Sequence, residues 1–268
     1  MSGLPRVQSM SGQVRTETGF TGIGTGEITS GARRETSGAR SGFYIQFGKR
    51  IFDTLGAVAA LVIVGPVLFL CAVALRLESR GPVFYRQWRV GRYGRPFQVI
   101  KLRTMIQGAD KQGLKITASD DPRITRVGRL LRKTKMDELP QLFNVLRNEM
   151  SLVGPRPEVP EYTLKYSLAE RKVLNAKPGI TGPASLAHIN EEQLLANRTD
   201  KEHFYVSTVM RRKLQIDLAY CRKISFFEDL KNILLTAGAL FVPGDFRPKR
   251  MKTTPHITGE TTGSGTRT

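Results

Sequence analysis

The sequence predicts a mainly α-helical monotopic membrane protein with a small β-hairpin, held by a re-entrant, broken membrane helix with its globular domain on the cytoplasmic side. Three observations predict it: a 22-residue uncharged run from Thr54 to Leu75, a proline at its centre, and basic residues at both of its ends.

Residues 1–42 combine Gly, Ser, Thr and Arg without apolar periodicity, as in Thr21-Gly22-Ile23-Gly24-Thr25-Gly26. Such a composition cannot bury enough surface to offset its ordering entropy, so the segment reads as a disordered arm. The tail at 248–268 reads the same way, which leaves a membrane segment at 43–80 and a globular domain at 81–247.

As a helix the uncharged run extends about 33 Å, close to the roughly 30 Å of a bilayer core. Gly65-Pro66 falls mid-run, where proline removes a backbone donor and clashes with the preceding turn. Arg40, Lys49 and Arg50 precede the run and Arg76, Arg80, Arg86 and Arg89 follow it, so both ends prefer the cytoplasm. A helix that enters one leaflet and returns near Pro66 satisfies both flanks. A straight span with a tolerated proline is the alternative. A cleaved leader fits poorly, because the run starts far from Met1.

Pro82 to Gln87 and Phe97 to Arg103 are β-favouring stretches separated by Gly91, Gly94 and Pro96, the signature of a hairpin. It would sit at the membrane surface with Trp88 and Tyr93. Further on, Leu139, Leu142, Phe143 and Leu146 recur at helical spacing, as do Phe226, Leu230, Ile233, Leu234, Ala237 and Phe241. Ser225 and Glu228 form a capping box for that last helix, whose apolar face can pack on the core or lie among lipid headgroups.

The chain carries 42 Lys and Arg against 23 Asp and Glu, a formal charge of +19. Between Arg76 and Lys135 stand sixteen basic and four acidic residues, a net of +12 in one segment. Its partners are therefore anions: lipid, nucleic acid or phosphorylated substrate. Nucleic acid needs no bilayer-length apolar run and is the weakest of the three. Cys71 and Cys221 define no disulfide framework, in keeping with a reducing compartment.

Asp137-Glu138-Leu139-Pro140-Gln141 puts two carboxylates where a helix should begin. Asp137 is there either a plain N-cap or an ionised carboxylate kept so by the helix end and by Arg132, Lys133 and Lys135, fit to be a nucleophile or metal ligand. Arg123, Arg126, Arg129 and Arg132 recur every third residue as one basic face, either solvated or phosphate-binding. Arg156 stands between prolines in Gly154-Pro155-Arg156-Pro157, a rigid mount for a guanidinium that could grip a diphosphate, or simply an exposed loop. His188 and His203 show no metal-ligand spacing.

Taken in order, Lys49-Arg50-Ile51-Phe52-Asp53, Gly81 to Gln87, Lys101-Leu102-Arg103-Thr104-Met105, Asp121 to Thr125, Asp137 to Gln141, Met150 to Pro157 and Pro178 to Gly182 resemble the bacterial sugar transferases, the monotopic phosphoglycosyl transferases, over roughly Lys49 to Phe241. The resemblance implies an enzyme of the family's short form, lacking a preceding set of membrane helices. It implies a membrane helix broken at Gly65-Pro66, where many relatives have Ser-Pro. Asp137 and Glu138 become the catalytic and metal-binding pair: Asp137 attacks the β-phosphorus of a nucleotide-sugar, and polyprenyl phosphate takes the phosphosugar from it. The cofactor implied is Mg2+. Arg156, Lys101, Arg123 and Arg126 are the expected phosphate contacts, with Asp229 and Asp217 as supporting acids. Many relatives have an arginine near His188-Ile189-Asn190, so that donor contact does not transfer.

The expected partners are a UDP-hexose, undecaprenyl phosphate and membrane lipid, with no nucleic acid; a homo-oligomer is left open. The expected location is the cytoplasmic face of a bacterial inner membrane, and the expected role is the initiating step of exopolysaccharide, capsule or surface-glycan synthesis. A non-catalytic lipid-binding module and a transferase moving sugar without phosphate are the competing readings.

Overall fold

A computed structural model describes residues 42, 44–109, 121–189, 191–196 and 200–241; the arm and tail expected at the two ends lie outside them. The architecture is mostly helical, with two separate two-stranded sheets.

A π-helical turn at Tyr44–Gly48 leads into α1, Lys49–Glu78. The uncharged run makes it the one helix, among the described residues, long and apolar enough to cross a membrane. The expected break does not interrupt it: the chain stays helical through Gly65 and Pro66. A proline can bend a helix without ending it, since only the bonds of the preceding turn are lost.

What distinguishes α1 from a free span is its packing. Ala57, Ala60, Leu61 and Val64 lie against Phe97, Val99, Leu142 and Val145, while Leu68, Cys71 and Leu75 lie against Leu102 and Leu131. Those positions recur at three- and four-residue intervals, so one stripe of the helix touches the globular domain along its length. The opposite face, including Val62, Ile63, Phe69 and Leu70, is exposed and apolar.

Both ends of α1 are tied to that domain by buried charge. At the start, Lys49 donates to Asp229 (2.5 Å) and to the Val153 carbonyl (3.0 Å), and Arg50 donates to the carbonyls of Val145 and Leu146. Asp53 accepts from the Ser151 hydroxyl and the Leu152 N–H. At the finish, the Arg103 guanidinium donates to the carbonyls of Ser79 and Arg80, groups the helix end leaves unpaired. Gly81 is required beside it: its φ is 121°, and a Cβ there would stand 2.2 Å from the Arg103 guanidinium. Glu78 accepts the N–H groups of Arg126 and Val127, capping the next helix, α2, Arg126–Lys133.

The hairpin forms as expected. β1, Phe84–Val90, pairs antiparallel with β2, Pro96–Leu102, in the register Phe84↔Leu102 to Val90↔Pro96. The second sheet is one the sequence reading missed. β3, Ser151–Val153, pairs in parallel with β4, Gly179–Thr181, so each of the motifs Met150 to Pro157 and Pro178 to Gly182 contains a strand. Their glycines permit it, because a Cβ on Gly179 would lie 2.1 Å from the Gly154 nitrogen.

The helices that bear on the site are α3, Gln141–Leu146; α4, Pro183–Ala187; α5, Met210–Cys221; and α6, Phe226–Phe241, and further short helices lie at Pro160–Thr163, Glu191–Ala196 and Lys201–Phe204. Ser225 caps α6 by accepting the Glu228 N–H. This helix is inverted: Asp229 and Asn232 are buried and Thr236 bonds Thr181, whereas Phe227 and Leu234 are exposed. Core packing through its apolar face is therefore not what it does. A second apolar core, built on Tyr162, Tyr166, Tyr205, Met210 and Leu214, holds the C-terminal half together.

Asp229 is the joint between α1, α5 and α6, accepting from Tyr44 (2.7 Å), Lys49 and Tyr220 (2.5 Å) while fully buried. Removing one partner of a buried pair strands the other's charge, so Asp229→Ala is expected to cost about 3–5 kcal/mol. A thermal unfolding midpoint in detergent unchanged from wild type would contradict that role.

Candidate active site

Asp137 and Glu138 do not begin an α-helix. They lie in a 3₁₀ turn, Met136–Glu138, between α2 and α3, and Pro140 occupies the N-cap of α3 without a side-chain cap bond. Lys135 just before them is left-handed, φ 57°. That conformation is uncommon for a side chain other than Gly, Asn or Asp and reverses the chain after α2. The N-cap reading of Asp137 is thereby corrected, because the α-helix starts only at Gln141 and Pro140 holds its N-cap position.

The two carboxylates have opposite surroundings. Glu138 takes both Arg156 contacts, Nη2 to Oε1 at 2.5 Å and Nη1 to Oε2 at 3.1 Å, and also the Lys101 ammonium at 3.1 Å. The Arg156 fork is bidentate, the strongest form of this pair. Burial by itself would raise the Glu138 pKa, but Arg156 and Lys101 outweigh it and hold the group well below the usual carboxylate range. Glu138 is ionised and fully committed.

Asp137 is buried, and its Oδ1 has no hydrogen-bond partner. Burial, then the negative charge of Glu138, pushes its pKa up to about 6 against the pull of Lys101, Lys135 and Arg132. A buried orphan oxygen costs about 1–3 kcal/mol unless something else fills its valence. This one is open to a ligand.

Lys101 and Arg156, both expected as phosphate contacts, do converge here. Lys101 reaches in from β2, with its pKa lowered by burial in spite of Glu138. Arg156 arrives from the loop after β3, where the Gly154 and Gly179 backbones touch, and is about one-third exposed. Its guanidinium, held charged chiefly by Glu138, can therefore serve the pair inside and an anion outside.

The other expected contacts are placed differently. Arg123 lies before α2 rather than on it, so the three-residue basic face begins only at Arg126. Its guanidinium grips Asp121 (2.6 Å) and donates to the Ala109 carbonyl. Arg126 is exposed at the first turn of α2. Asp217 is buried on α5 and accepts the backbone N–H groups of Arg156 and Ala184; burial raises its pKa to about 7 against Lys213 and those bonds. It thus holds the arginine loop from behind, while Asp229 anchors α1. His188 bonds only within its own turn, to Ala184.

Sequence reasoning missed the layer beneath Arg156. Glu158 is buried and accepts from Tyr205, with Lys213 at 3.5 Å and Arg89 at 3.8 Å. The signal was present in Pro155-Arg156-Pro157-Glu158, where a charge two residues from Arg156 lies on the same rigid turn.

Among the described residues no three His, Cys, Asp or Glu side chains converge on a metal position. Mg2+ does not need them, because one or two carboxylates suffice when phosphate oxygens fill the shell. Asp137 Oδ1 fits that requirement. Glu138 fits it less well, since both of its oxygens are in ion pairs.

A long apolar helix of the kind that associates with membranes, packed on a small domain with an open carboxylate beside cations, is the arrangement to be matched. The family model for bacterial sugar transferases matches residues 44–243, and the chain belongs to that family. It is 38% identical over 207 residues to the UDP-glucose:undecaprenyl-phosphate glucose-1-phosphate transferase of Caulobacter vibrioides, covering 73% of this chain and 70% of that protein. It is 36% identical to the sugar transferase EpsL of Bacillus subtilis, over 81% and 96% of the two chains. The enzyme of Escherichia coli K12 with the same name as the Caulobacter protein is 38% identical over 72% of this chain, which spans 40% of its length.

A carboxyl titrating near 6 sets the pH dependence. Below that value the Asp137 carboxyl is protonated, so an activity that needs its charge should fall about tenfold per pH unit on the acid side, read as kcat/KM against pH. A profile flat down to pH 5 would contradict an ionised Asp137 as the reacting form.

Proposed function

We propose that this protein is a phosphoglycosyl transferase that moves a sugar-1-phosphate from a UDP-hexose to undecaprenyl phosphate, releasing UMP. One observation carries the reading: buried Asp137 Oδ1 has no hydrogen-bond partner, while the adjacent Glu138 is neutralised by Arg156 and Lys101. The relatives' names supply the substrate class.

The reaction proceeds in two displacements. Asp137 attacks the β-phosphorus, forming an aspartyl phosphosugar while the bond to the bridging oxygen breaks and UMP departs. An oxygen of undecaprenyl phosphate then attacks the same phosphorus, and the Asp137 carboxylate leaves. Each step exchanges one P–O bond for another, with no redox partner and no net proton.

Glu138 holds Arg156 and Lys101 rather than reacting. Those two cations face the charge that develops on the transferring phosphoryl group. Bound Mg2+ supplies charge neutralisation of the donor diphosphate, with Asp137 as the fitting protein ligand.

The membrane arrangement is re-entrant, on the cytoplasmic face of the inner membrane, with the exposed apolar faces of α1 and α6 in lipid. Packing of α1 on one domain at its start, middle and end supports this. A straight span would carry its ends to opposite sides of about 30 Å of hydrocarbon. The role is the first step of exopolysaccharide, capsule or surface-glycan assembly.

Purified wild type and Asp137→Asn, with Mg2+, undecaprenyl phosphate and a panel of UDP-hexoses, test the chemistry. Wild type should release UMP, and the variant should fall by at least roughly a thousandfold. UDP as the product would mean transfer of sugar without phosphate, and full activity in the variant would remove Asp137 as nucleophile. For the topology, single cysteines introduced at positions 48 and 80 of a Cys71→Ser, Cys221→Ser chain should both label from the cytoplasmic side only. Labelling from opposite sides would mean a span.

A further inference from the structure

The hairpin that delivers Lys101 has one paired edge and one open edge. β1 covers the first along its whole length. At the second, Gln98 presents its carbonyl and Ile100 its N–H, two groups of the same side of the strand, as residues two apart must be.

A single side chain meets both. Asn144, on α3, accepts the Ile100 N–H through Oδ1 at 3.1 Å and donates through Nδ2 to the Gln98 carbonyl at 2.7 Å. Its other Nδ2 hydrogen goes to Glu149 at 2.7 Å. The residue is fully buried, and its carboxamide stands where the peptide of a third strand would. Only an amide of this length offers a donor and an acceptor at that spacing.

The two elements joined are the ones that carry the reacting charges. Lys101 follows Ile100 directly, and Glu138 precedes Asn144 by six residues on the turn leading into α3. Among the described residues Lys101–Glu138 is the one ion pair between these elements, and beyond it and the Asn144 bonds their contact is non-directional apolar packing of Phe97 and Val99 on Leu142 and Val145.

We propose that Asn144 is a positioning residue for the transfer: bonded to β2 as a surrogate strand, it sets where the Lys101 ammonium stands relative to Glu138 and Asp137. The inference rests on the phosphosugar reading above. Hydrophobic packing alone leaves the strand free to slide along α3, whereas two bonds to one amide fix its position. A shift of about 1 Å at a reacting centre can cost on the order of a hundredfold in rate.

A double-mutant cycle on the full-length protein tests it, using the UDP-hexose that wild type turns over, with undecaprenyl phosphate and Mg2+. Asn144→Asp keeps the shape and the acceptor but loses the donor; Asn144→Ala loses both and serves if the first fails to fold. Each is made in wild type and in Lys101→Ala, and assayed well below its unfolding midpoint. In wild type, kcat should fall about 10- to 100-fold with KM for the donor within about threefold. In the Lys101→Ala background the same change should cost no more than about twofold, because the residue it acts through is gone. Losses that multiply in both backgrounds, or an unchanged kcat in a folded variant, overturn the proposal. A wild type that releases no UMP from any donor would instead sink the phosphosugar reading.

Discussion

Glu138 is the point on which the site depends. Three stretches far apart in the chain, the hairpin at Lys101, the turn after α2 and the loop at Arg156, meet on one half-buried carboxylate. An ion in such a place is tolerable only when its charge and its lone pairs are answered on every side. Once Arg156 and Lys101 have done so, the neighbouring Asp137 stays without a partner at Oδ1. The contrast between a saturated acid and an open one, adjacent in sequence, is the chemical content of the fold.

Supporting layers keep that contrast in place. Asp217 holds the backbone of Arg156, and Glu158 with Lys213 and Arg89 fills the space below it. The parallel pairing of β3 with β4 needs glycine where the strands touch, which accounts for the composition of both motifs. Lys49 and Arg50 then connect this surrounding structure to the long apolar helix: one reaches the Val153 carbonyl ahead of the arginine loop, and the other reaches the end of α3 behind the acidic turn. The seat of α1 on the domain and the geometry at the site are joined through the same two residues.

Much of this was legible in the chain. β-favouring stretches separated by glycines and a proline placed the hairpin, the uncharged run placed α1, and helical spacing placed α6 but not the face it turns inward. The family motifs marked Asp137, Glu138, Lys101 and Arg156, and all four converge. Arg123 and Arg126 were marked by spacing alone, and spacing does not say where a helix starts; α2 begins at Arg126, and Arg123 turns to Asp121 two residues away. Asn144 was invisible, since a lone amide on an apolar face carries no periodic signal, and Glu158 was marked only by its place two residues after Arg156 on the same rigid turn.

The sequence by itself determined the long apolar helix, the hairpin and the motif that holds Asp137 and Glu138, for these follow from local composition, turn residues and motif. Only the tertiary structure decided which acid is spent and which is open, which face of α6 turns inward, and that α1 lies along the domain at both ends. Those outcomes depend on charges and backbone groups separated by tens of residues, and burial makes each of them count only after the chain has brought them together.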